Sequence, residues 1–344
     1  VEAAHALRLD KLLLIPGKTP PHKALPEGSP SPQQRLDMLT VAAKTHPELE
    51  VSDMEIRREG VSYTYQTVLA LKERYPDAQL VLIMGTDMFL SFDTWKNPDI
   101  ILENASLAVL YRGEKGEIEA IRERKALMEA SGATVELVEN PVIDISSTQL
   151  RRLLVFGCAG EFLPTGVEDY IRSGGFYGTE TDYRNLPMDE LERVVIGLLK
   201  PNRVAHVLGC RDTAVELAKR WGADVTDAAR AGLLHDITKA LDGPLQLTLC
   251  REYGTMLSDF SRKYPKTLHA LTGSMVAQRI FGENEAVVSA IEHHTTGKAD
   301  MNLLEKIIYV ADYMEPNRDF PGVEKLRALA YEDITRALEL GLRM

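Results

Sequence analysis

The spacing of apolar residues changes character once along the chain, and this change constrains the fold more than any other feature. Short apolar runs typical of strands recur through the first half, at residues 11–16, 49–54, 79–85, 106–112 and 133–139. Helical patterns lie between most of these runs, at Pro32–Thr45, Thr64–Tyr75 and Gly116–Ala130. Strands that alternate with helices predict a doubly wound α/β domain with a mostly parallel sheet. From Leu191 onward the periodicity is helical with almost no strand-like alternation, which predicts a second, all-α domain.

A chain of 344 residues is long for a single core, and its composition indicates where it divides. The stretch 171–189 interrupts the pattern with glycines and polar residues. We therefore predict a first domain at residues 1–173, a linker at 174–188 and a second domain at 189–344. The chain opens at Val1 on a helical pattern that leads into a strand, so we expect it to start inside the first domain, after its opening element.

The overall charge and composition exclude several classes of protein. The net charge is -11 and the isoelectric point is near 5.3, which argues against non-specific binding to nucleic acid. No apolar run approaches the ~18 residues of a membrane helix, and no signal peptide is recognisable, so we predict no membrane partner. Cys158, Cys210 and Cys250 are scattered and are typical of free thiols in a reducing compartment. We predict a cytoplasmic protein that binds small molecules.

His235 and Asp236 stand side by side in AGLLHDITKA, an apolar stretch at residues 231–240 that looks helical. A buried carboxylate without a partner is costly, so this pair requires an explanation. Other residues of metal-ligand type lie on separate apolar helical patterns: His206, His269, His294 and Asp312. Neutral imidazoles and carboxylates ligate divalent transition metals, and neighbouring helices supply such ligands in helical bundles. We therefore predict a metal site in the second domain.

Each of these residues also has an ordinary explanation when it is taken alone. A single histidine on a helix is usually capped or solvated, and Asp312 has Arg318 nearby as an ion-pair partner. Lys239, one turn past His235, is placed either to contact a phosphate or to serve as a solvated cation at a helix end. Their joint occurrence on several apolar helices favours the metal site.

The order His206, His235–Asp236 and Asp312 resembles the HD-domain metal-dependent phosphohydrolases. The strings LLHDITK, HTTG and YVADYMEPNR resemble one branch, the bacterial HD-domain hydrolases of symmetrical diadenosine tetraphosphate. This resemblance covers residues 190–344 and implies that those four residues hold a metal, with iron expected and manganese or cobalt as alternatives.

The same resemblance implies roles for the remaining polar residues. His269 and His294 would complete a second metal site, or bind phosphate and the attacking water. His294 is preferred to His293 because it directly precedes Thr-Thr-Gly. Lys239 and Arg318 would bind phosphate. The residues expected to act in catalysis are Asp236, Lys239, His269 and His294.

Four strings in the first half carry residues suited to a nucleotide. PGKTPPHK ends in His22 and Lys23, SYTYQTVLAL places Thr64 at a helix start, MGTDMFLSFDTWKN carries Gly85, Asp87 and Trp95, and ISSTQLRR carries Ser147, Thr148 and Arg151. Hydroxyls and an arginine at a helix N-terminus form an anion site, although simple N-capping is the better explanation of the hydroxyls when they are taken alone. Trp95 suits either a core position or stacking on a planar ring.

Together these strings resemble the bacterial nicotinate-nucleotide adenylyltransferases, which have a Rossmann-like nucleotidylyltransferase fold. The resemblance runs over residues 1–173. It implies that Ser147, Thr148 and Arg151 bind the phosphates of ATP, which carries Mg²⁺, and that Gly85 and Asp87 lie at a ribose. Thr64 and Trp95 would face nicotinate mononucleotide, with Trp95 stacked on its pyridine ring. His22 and Lys23 would lie on a loop over the site.

The first half departs from the family pattern in two places. The family opens on a strand and a Gly-rich turn with the sequence His-x-Gly-His, which this sequence lacks, and His5 does not replace it. Gln66 stands where the family more often has Asp. Because the missing histidines stabilise the phosphates during adenylyl transfer, we expect that reaction to be nearly lost in a chain with this sequence.

The two resemblances predict a bifunctional nucleotide enzyme. The second domain would cleave diadenosine tetraphosphate to two ADP, and the first would transfer adenylyl from ATP to nicotinate mononucleotide in NAD biosynthesis. One alternative gives the second domain a different nucleotide, either an alarmone or a nucleoside monophosphate. Another makes it a non-catalytic module that senses nucleotides. We also expect a homodimer.

Overall fold

The computed structural model describes residues 1–18, 29–111, 116–139, 143 and 145–344, except for the side chain of Phe260. Its contacts divide the chain into two compact units. Unit 1 comprises Val1–Ser146 and Gly160–Glu180, and unit 2 comprises Ser147–Ala159 and Thr181–Met344. The final division, between Glu180 and Thr181, lies inside the stretch that the sequence predicted as a linker.

The strands of unit 1 lie within or beside the five predicted apolar runs and are all parallel to their neighbours. They are β1 (Leu12–Leu14), β2 (Leu49–Val51), β3 (Leu80–Gly85), β4 (Ala105–Tyr111) and β5 (Val135–Glu139). The predicted parallel α/β architecture is confirmed, but the described strands form two sheets and not one. The pair β1–β2 and the triplet β3–β4–β5 are separate because no described strand hydrogen-bonds to both.

Helices follow most strands of unit 1, as the alternation predicted. They are α1 (Glu2–Ala6), α2 (Pro32–Ala43), α3 (Met54–Arg57), α4 (Thr64–Arg74), α5 (Thr86–Leu90), α6 (Pro98–Asn104), α7 (Glu117–Ala130) and α9 (Val167–Ser173). The core lies on the three-stranded sheet, where Phe89, Phe92 and Leu107 are fully buried. Apolar residues on helix and strand meet there, which fixes the carboxyl end of β3 relative to α5.

The helix α8 (Ser147–Val155) belongs to unit 2, although the predicted boundary placed it in the first domain. Polar contacts explain this assignment. The buried Arg152 donates to the carbonyls of Leu198 and Leu199 at 2.6 and 3.1 Å, where another helix ends with unsatisfied carbonyls. The Tyr253 hydroxyl donates to the Phe156 carbonyl at 2.5 Å. The sequence pattern did not reveal these contacts, because each joins residues that lie far apart along the chain.

Every other regular element of unit 2 in the described residues is also helical, as predicted. The helices are α10 (Met188–Leu198), α11 (Val204–Trp221), α12 (Val225–Leu234), α13 (Gly243–Glu252), α14 (Asp259–Lys263), α15 (Leu268–Arg279), α16 (Glu285–Glu292), α17 (Leu303–Met314), α18 (Val323–Glu332) and α19 (Ile334–Gly341). Across the described parts of both units, no helix combines the length and hydropathy needed to cross a membrane.

The stretch AGLLHDITKA is helical only in its first part, which corrects the sequence expectation. Helix α12 ends at Leu234, His235 is its C-cap, and the chain continues through turns as far as Ala240. The backbone N–H groups of Ile237 and Lys239 bond to carbonyls three residues earlier. Side chains on consecutive helical residues diverge by about 100°. Past the end of the helix, His235 Nε2 and Asp236 Oδ2 lie 3.6 Å apart, so these two side chains converge.

Candidate metal centre and active site

Unit 2 brings together all six residues that the sequence proposed as metal ligands. Three lie near helix starts or ends: His206 in the first turn of α11, His269 in the first turn of α15 and Asp312 in the last turn of α17. His235 and Asp236 follow α12, and His294 lies just past α16. Apart from the half-buried Asp312 they are buried, so the apolar faces of these helices position the cluster.

The δ nitrogen of each of the four histidines points away from the cluster towards an acceptor. For His235, His269 and His294 the acceptor is the backbone carbonyl three residues earlier, at 2.8, 2.9 and 2.6 Å. For His206 it is Oε1 of Glu315, at 3.1 Å. A carbonyl or carboxylate oxygen only accepts, so each Nδ1 carries the proton. In the neutral ring the lone pair therefore lies on Nε2.

These Nε2 atoms face one another and the two aspartates. The Nε2 atoms of His206 and His235 are 3.3 Å apart, and those of His269 and His294 are 3.2 Å apart. Asp312 Oδ1 lies 3.1 Å from His206 Nε2. Asp236 Oδ1 lies 3.4 Å from His269 Nε2. Lone pairs and carboxylate oxygens thus crowd into one small buried volume.

Burial lowers the pKa of three histidines of the cluster. It lowers the pKa of His235 well below the ordinary 6.5 and also lowers that of His294. Burial, with contributions from His294 and Lys239, lowers the pKa of His269 to about 2. Burial alone would raise the pKa of Asp312, but its interactions with His206, the other imidazoles and Arg318 outweigh burial and hold the pKa well below 3.8. Neutral imidazole and ionised carboxylate are the forms that bind metal.

This donor set fits a divalent metal ion. His206, His235 and Asp312 offer atoms within 4.8 Å of one another, and so do His235, Asp236 and His294. Nitrogen lone pairs directed at one another repel unless a cation lies between them. A shell of imidazoles and carboxylates suits transition ions. The two groups share His235, so the arrangement is compatible with one ion or with two neighbouring ions.

Three cationic side chains border the cluster. Arg203 donates to Oδ2 of Asp236, and Arg318 donates from Nε to the backbone oxygen of Asp312 at 2.7 Å and from Nη2 to its carboxylate. The ion pair of Asp312 with Arg318 that the sequence left open is therefore present. Lys239 Nζ lies 2.8 Å from His269 Nε2. Burial and the nearby Arg203 lower the pKa of Lys239 to about 8.

A cavity of about 720 Å³ opens beside the cluster. Its lining includes the cationic residues Arg203, Lys239 and Arg318, and also Tyr313, Phe320 and Met344. The Tyr313 and Phe320 rings meet edge to face, with centroids 6.3 Å apart and an angle of 88°. A cavity lined by cations, by the candidate metal ligands and by aromatic rings suits a molecule with both phosphates and a planar ring.

The residues proposed for the first nucleotide site are dispersed over the two units. In unit 1, Thr64 begins α4, Gly85 ends β3, Asp87 is in the first turn of α5, and Trp95 packs on Phe92 with ring centroids 5.3 Å apart. Gln66 accepts a hydrogen bond from the Tyr63 N–H at 3.4 Å and so caps α4. The Trp95 ring is half-buried and packs against the core of unit 1. A core position was one of the two alternatives that the sequence left open.

The remaining residues of that site lie elsewhere. Ser147 and Thr148 are exposed in the first turn of α8, and Arg151 lies one turn further on, all in unit 2. Ser147 and Thr148 are the first two residues of α8. The sequence pattern had instead placed them just before a helix. His22 and Lys23 fall outside the described residues.

Comparison with known proteins gives each half of the chain a family. A model of the HD domain matches residues 203–317, and a cytidylyltransferase-like model matches residues 1–153. A protein of Halalkalibacterium halodurans named symmetrical bis(5'-nucleosyl)-tetraphosphatase is 43% identical over 146 residues, which cover 41% of this chain and 78% of the relative. Its namesake in Bacillus subtilis is 42% identical over 41% of this chain and 75% of its own length.

A second set of relatives matches the other half. A Lachnoclostridium phytofermentans protein named "Probable nicotinate-nucleotide adenylyltransferase" is 33% identical over 178 residues, which cover 51% of this chain and 88% of the relative. The chain belongs to both families. It is a fusion of a nicotinate-nucleotide adenylyltransferase homologue and a symmetrical tetraphosphatase homologue of the HD type. A solved HD superfamily hydrolase from Clostridium acetobutylicum, described as involved in NAD metabolism, is 42% identical over 45% of this chain and 82% of its own, with a TM-score of 0.44.

The cluster and its cavity also include residues that the sequence analysis did not single out. Arg203 lies one turn before His206, and Glu315 lies one turn after Asp312 in the string YVADYMEPNR. Tyr313 lies inside the same string and Phe320 lies two residues after it, and both line the cavity. A charged residue one helical turn from a predicted ligand was the available signal, because side chains three or four apart share a helix face.

Proposed function

We propose that unit 2 hydrolyses diadenosine tetraphosphate symmetrically to two molecules of ADP. The observation that carries this proposal is the buried cluster of four imidazoles and two carboxylates, open to a cavity with cations and aromatic rings. The names of the tetraphosphatase relatives supply the substrate. The cavity supplies what that substrate needs: positive charge for a phosphate chain and ring surfaces for a base.

His206, His235, Asp236 and Asp312 would hold the ion, with iron as our proposal and manganese or cobalt as alternatives. A divalent ion there lowers the pKa of a coordinated water and offsets phosphoryl charge, which is the chemistry that phosphate hydrolysis needs. We further propose that His269 and His294 either complete a second metal site or hold the phosphate and the attacking water. Both present Nε2 to the cluster and are suited to either role.

The cationic side chains position the phosphate chain. Lys239 and Arg318 bind phosphoryl oxygens in this proposal, and Arg203, which lines the same cavity, joins them. In symmetrical hydrolysis water adds to one side of the central P–O–P bridge, and the other side leaves with the bridging oxygen. Charge grows on that oxygen as the bond breaks, so fixed cations nearby lower the barrier. Lys239 also contacts His269 and keeps that ring oriented.

Product analysis tests this proposal. The purified chain, loaded with Fe²⁺ or Mn²⁺, should convert diadenosine tetraphosphate to ADP alone, and Asp236→Ala should abolish the reaction together with metal binding. Formation of ATP and AMP would contradict the symmetrical cut. Turnover of an alarmone or a nucleoside monophosphate, but not of diadenosine tetraphosphate, would support the other nucleotide. Binding of nucleotide without any hydrolysis, and without dependence on Asp236, would favour a sensing module.

For the first half of the chain we propose adenylyl transfer from ATP to nicotinate mononucleotide, because its adenylyltransferase relatives match over most of their length. Ser147, Thr148 and Arg151 would bind the phosphates of ATP with Mg²⁺. Gly85 and Asp87 would bind ribose, Thr64 and Trp95 would bind nicotinate mononucleotide, and His22 and Lys23 would cover the site. Formation of nicotinate adenine dinucleotide from ATP and nicotinate mononucleotide by this chain measures the activity, and failure to form it would contradict the proposal.

We further propose a cytoplasmic location and a homodimer. Light scattering on the eluting peak of a sizing column measures the mass in solution, and a mass of one chain would refute the dimer.

A further inference from the structure

Glu315 is a buried acidic residue directly behind the cluster. Only 1% of its side chain is exposed. Its Oε1 lies 3.1 Å from Nδ1 of His206, and its Oε2 accepts from both the backbone N–H and the side-chain amide of Asn317, at 2.7 and 2.8 Å. Among the described residues, no lysine or arginine forms a salt bridge with this carboxylate. Burying a carboxylate this deeply costs free energy unless hydrogen bonds replace those that it made with water.

The backbone leaves room for this carboxylate at one glycine. A Cβ added at Gly209 would lie 2.4 Å from Glu315 Oε2 and 3.1 Å from the Asn317 amide nitrogen. Gly209 lies in α11 with His206, so the helix that presents the histidine also makes space for the group behind it. Asn317 is anchored in turn, since its amide donates to the Ala205 carbonyl at 3.1 Å.

His206 differs from the other three histidines in this respect. Their Nδ1 atoms donate to backbone carbonyls, whose position follows from the turn geometry of the chain. The Nδ1 of His206 instead donates to the side-chain carboxylate of a residue 109 positions away. A carboxylate in this position fixes the tautomer of the ring. It also makes the opposite nitrogen, Nε2, a stronger electron-pair donor to a metal than a neutral carbonyl does.

We propose that Glu315, held by Asn317, is a positioning residue that directs the Nε2 lone pair of His206 into the metal centre and raises its donor strength. This inference rests on the proposed metal site but concerns a residue that touches neither substrate nor metal. Glu315→Gln removes the charge. It also replaces the two accepting oxygens, Oε1 and Oε2, with one oxygen and one NH₂ group. An amide has only one acceptor oxygen, so either His206 or Asn317 loses its partner.

The primary test is the affinity for Co²⁺, measured by calorimetric titration of the metal-free full chain and by the visible absorption of the bound ion. Glu315→Gln should weaken Co²⁺ binding by roughly 10- to 100-fold and shift the absorption bands. Glu305→Gln is the matched control, because Glu305 is an equally buried carboxylate at the start of α17, bonded to Ser289 and Asn302. It should leave both readouts unchanged.

A double-variant cycle keeps the test independent of any folding defect in one variant. Gly209→Ala should weaken Co²⁺ binding because its methyl group displaces the Glu315 carboxylate. In a Glu315→Ala background the same change has no carboxylate to displace, so its effect on affinity should disappear. Equal effects of Gly209→Ala in both backgrounds would overturn the proposal, as would Co²⁺ affinity and spectrum in Glu315→Gln that match the wild type.

The result separates this inference from the proposed function. If the wild-type chain binds Co²⁺ and hydrolyses diadenosine tetraphosphate while Glu315→Gln binds Co²⁺ equally well, only the role of Glu315 fails. If Glu315→Gln binds Co²⁺ weakly and the wild-type chain hydrolyses some other nucleotide, the role of Glu315 stands and the substrate fails.

Discussion

Arg203 donates a hydrogen bond from its guanidinium to Oδ2 of Asp236, a carboxylate whose side chain is only 2% exposed. The two residues lie 33 positions apart, on either side of α11 and α12. The pair shows that a cation outside the predicted ligand set borders the metal centre. Arg203 also lines the cavity, so its guanidinium can contact a phosphate bound there.

Replacing Arg203 should therefore impair hydrolysis. We expect Arg203→Ala to lower kcat/KM for diadenosine tetraphosphate by about 10²-fold, as the loss of one fixed charge-stabilising donor typically does. Arg193→Ala is the control, because Arg193 pairs with Asp189 in α10 with its side chain 72% exposed. Steady-state kinetics of both variants measure the effect, and a change of less than threefold in Arg203→Ala would contradict it.

The aromatic wall of the cavity should contribute to nucleoside binding. Stacking of a base on an aromatic side chain is worth about 1–3 kcal/mol by alanine substitution, so Phe320→Ala should raise KM by roughly 5- to 150-fold. Hydrolysis of inorganic tetraphosphate, which has no base, should be unchanged. Tyr331→Ala, an exposed aromatic residue of α18, serves as the control. Equal losses on both substrates would show that Phe320 does not bind the base.

The ion pair between Arg230 and Glu283 should stabilise unit 2. Arg230 Nε donates to both carboxylate oxygens at 3.0 and 2.8 Å, and the Glu283 side chain is 3% exposed. Arg230→Ala leaves that carboxylate buried without its partner, so we expect a loss of about 3–5 kcal/mol in the free energy of unfolding. Arg230→Met with Glu283→Leu removes both charges and should cost much less. Urea unfolding followed by circular dichroism compares the variants, and equal losses would contradict this account.

Glu305 should make stability depend on pH in the acidic range. Burial alone would raise its pKa, but hydrogen bonds from Lys298, Ser289 and the Asn302 N–H outweigh it and lower the pKa below 4.5. A depressed folded-state pKa stabilises the protein above the unfolded value, and this contribution is lost as the pH falls through the folded value.

The wild-type chain should therefore lose its advantage over Glu305→Gln as the pH falls below 4.5. Urea unfolding of both proteins at several values between pH 7 and pH 3 measures the difference in unfolding free energy. Lys298→Met removes one of the three donors and should reduce the pH dependence without abolishing it. A difference that stays constant across this range would show that Glu305 does not titrate as described.

The sequence by itself determined the fold class and the identity of the metal-ligand candidates. Apolar periodicity is a local property, so it located the five strands of the described residues and the helical second half without knowledge of packing. The candidates at His206, His235, Asp236, His269, His294 and Asp312 were found because polar residues of ligand type on apolar helices are expensive to bury. The structure brings these six together in one buried cluster.

The tertiary structure alone decided how those residues face one another. The His235 and Asp236 side chains converge just past the end of α12, and packing brings the Nε2 atoms of His206 and His235 together. The partnership of His206 with Glu315 and the placement of α8 in unit 2 also depend on contacts between segments far apart in the chain. Local patterns state which face of a helix is buried. They do not state which distant side chain meets it, because that depends on how all the helices pack together.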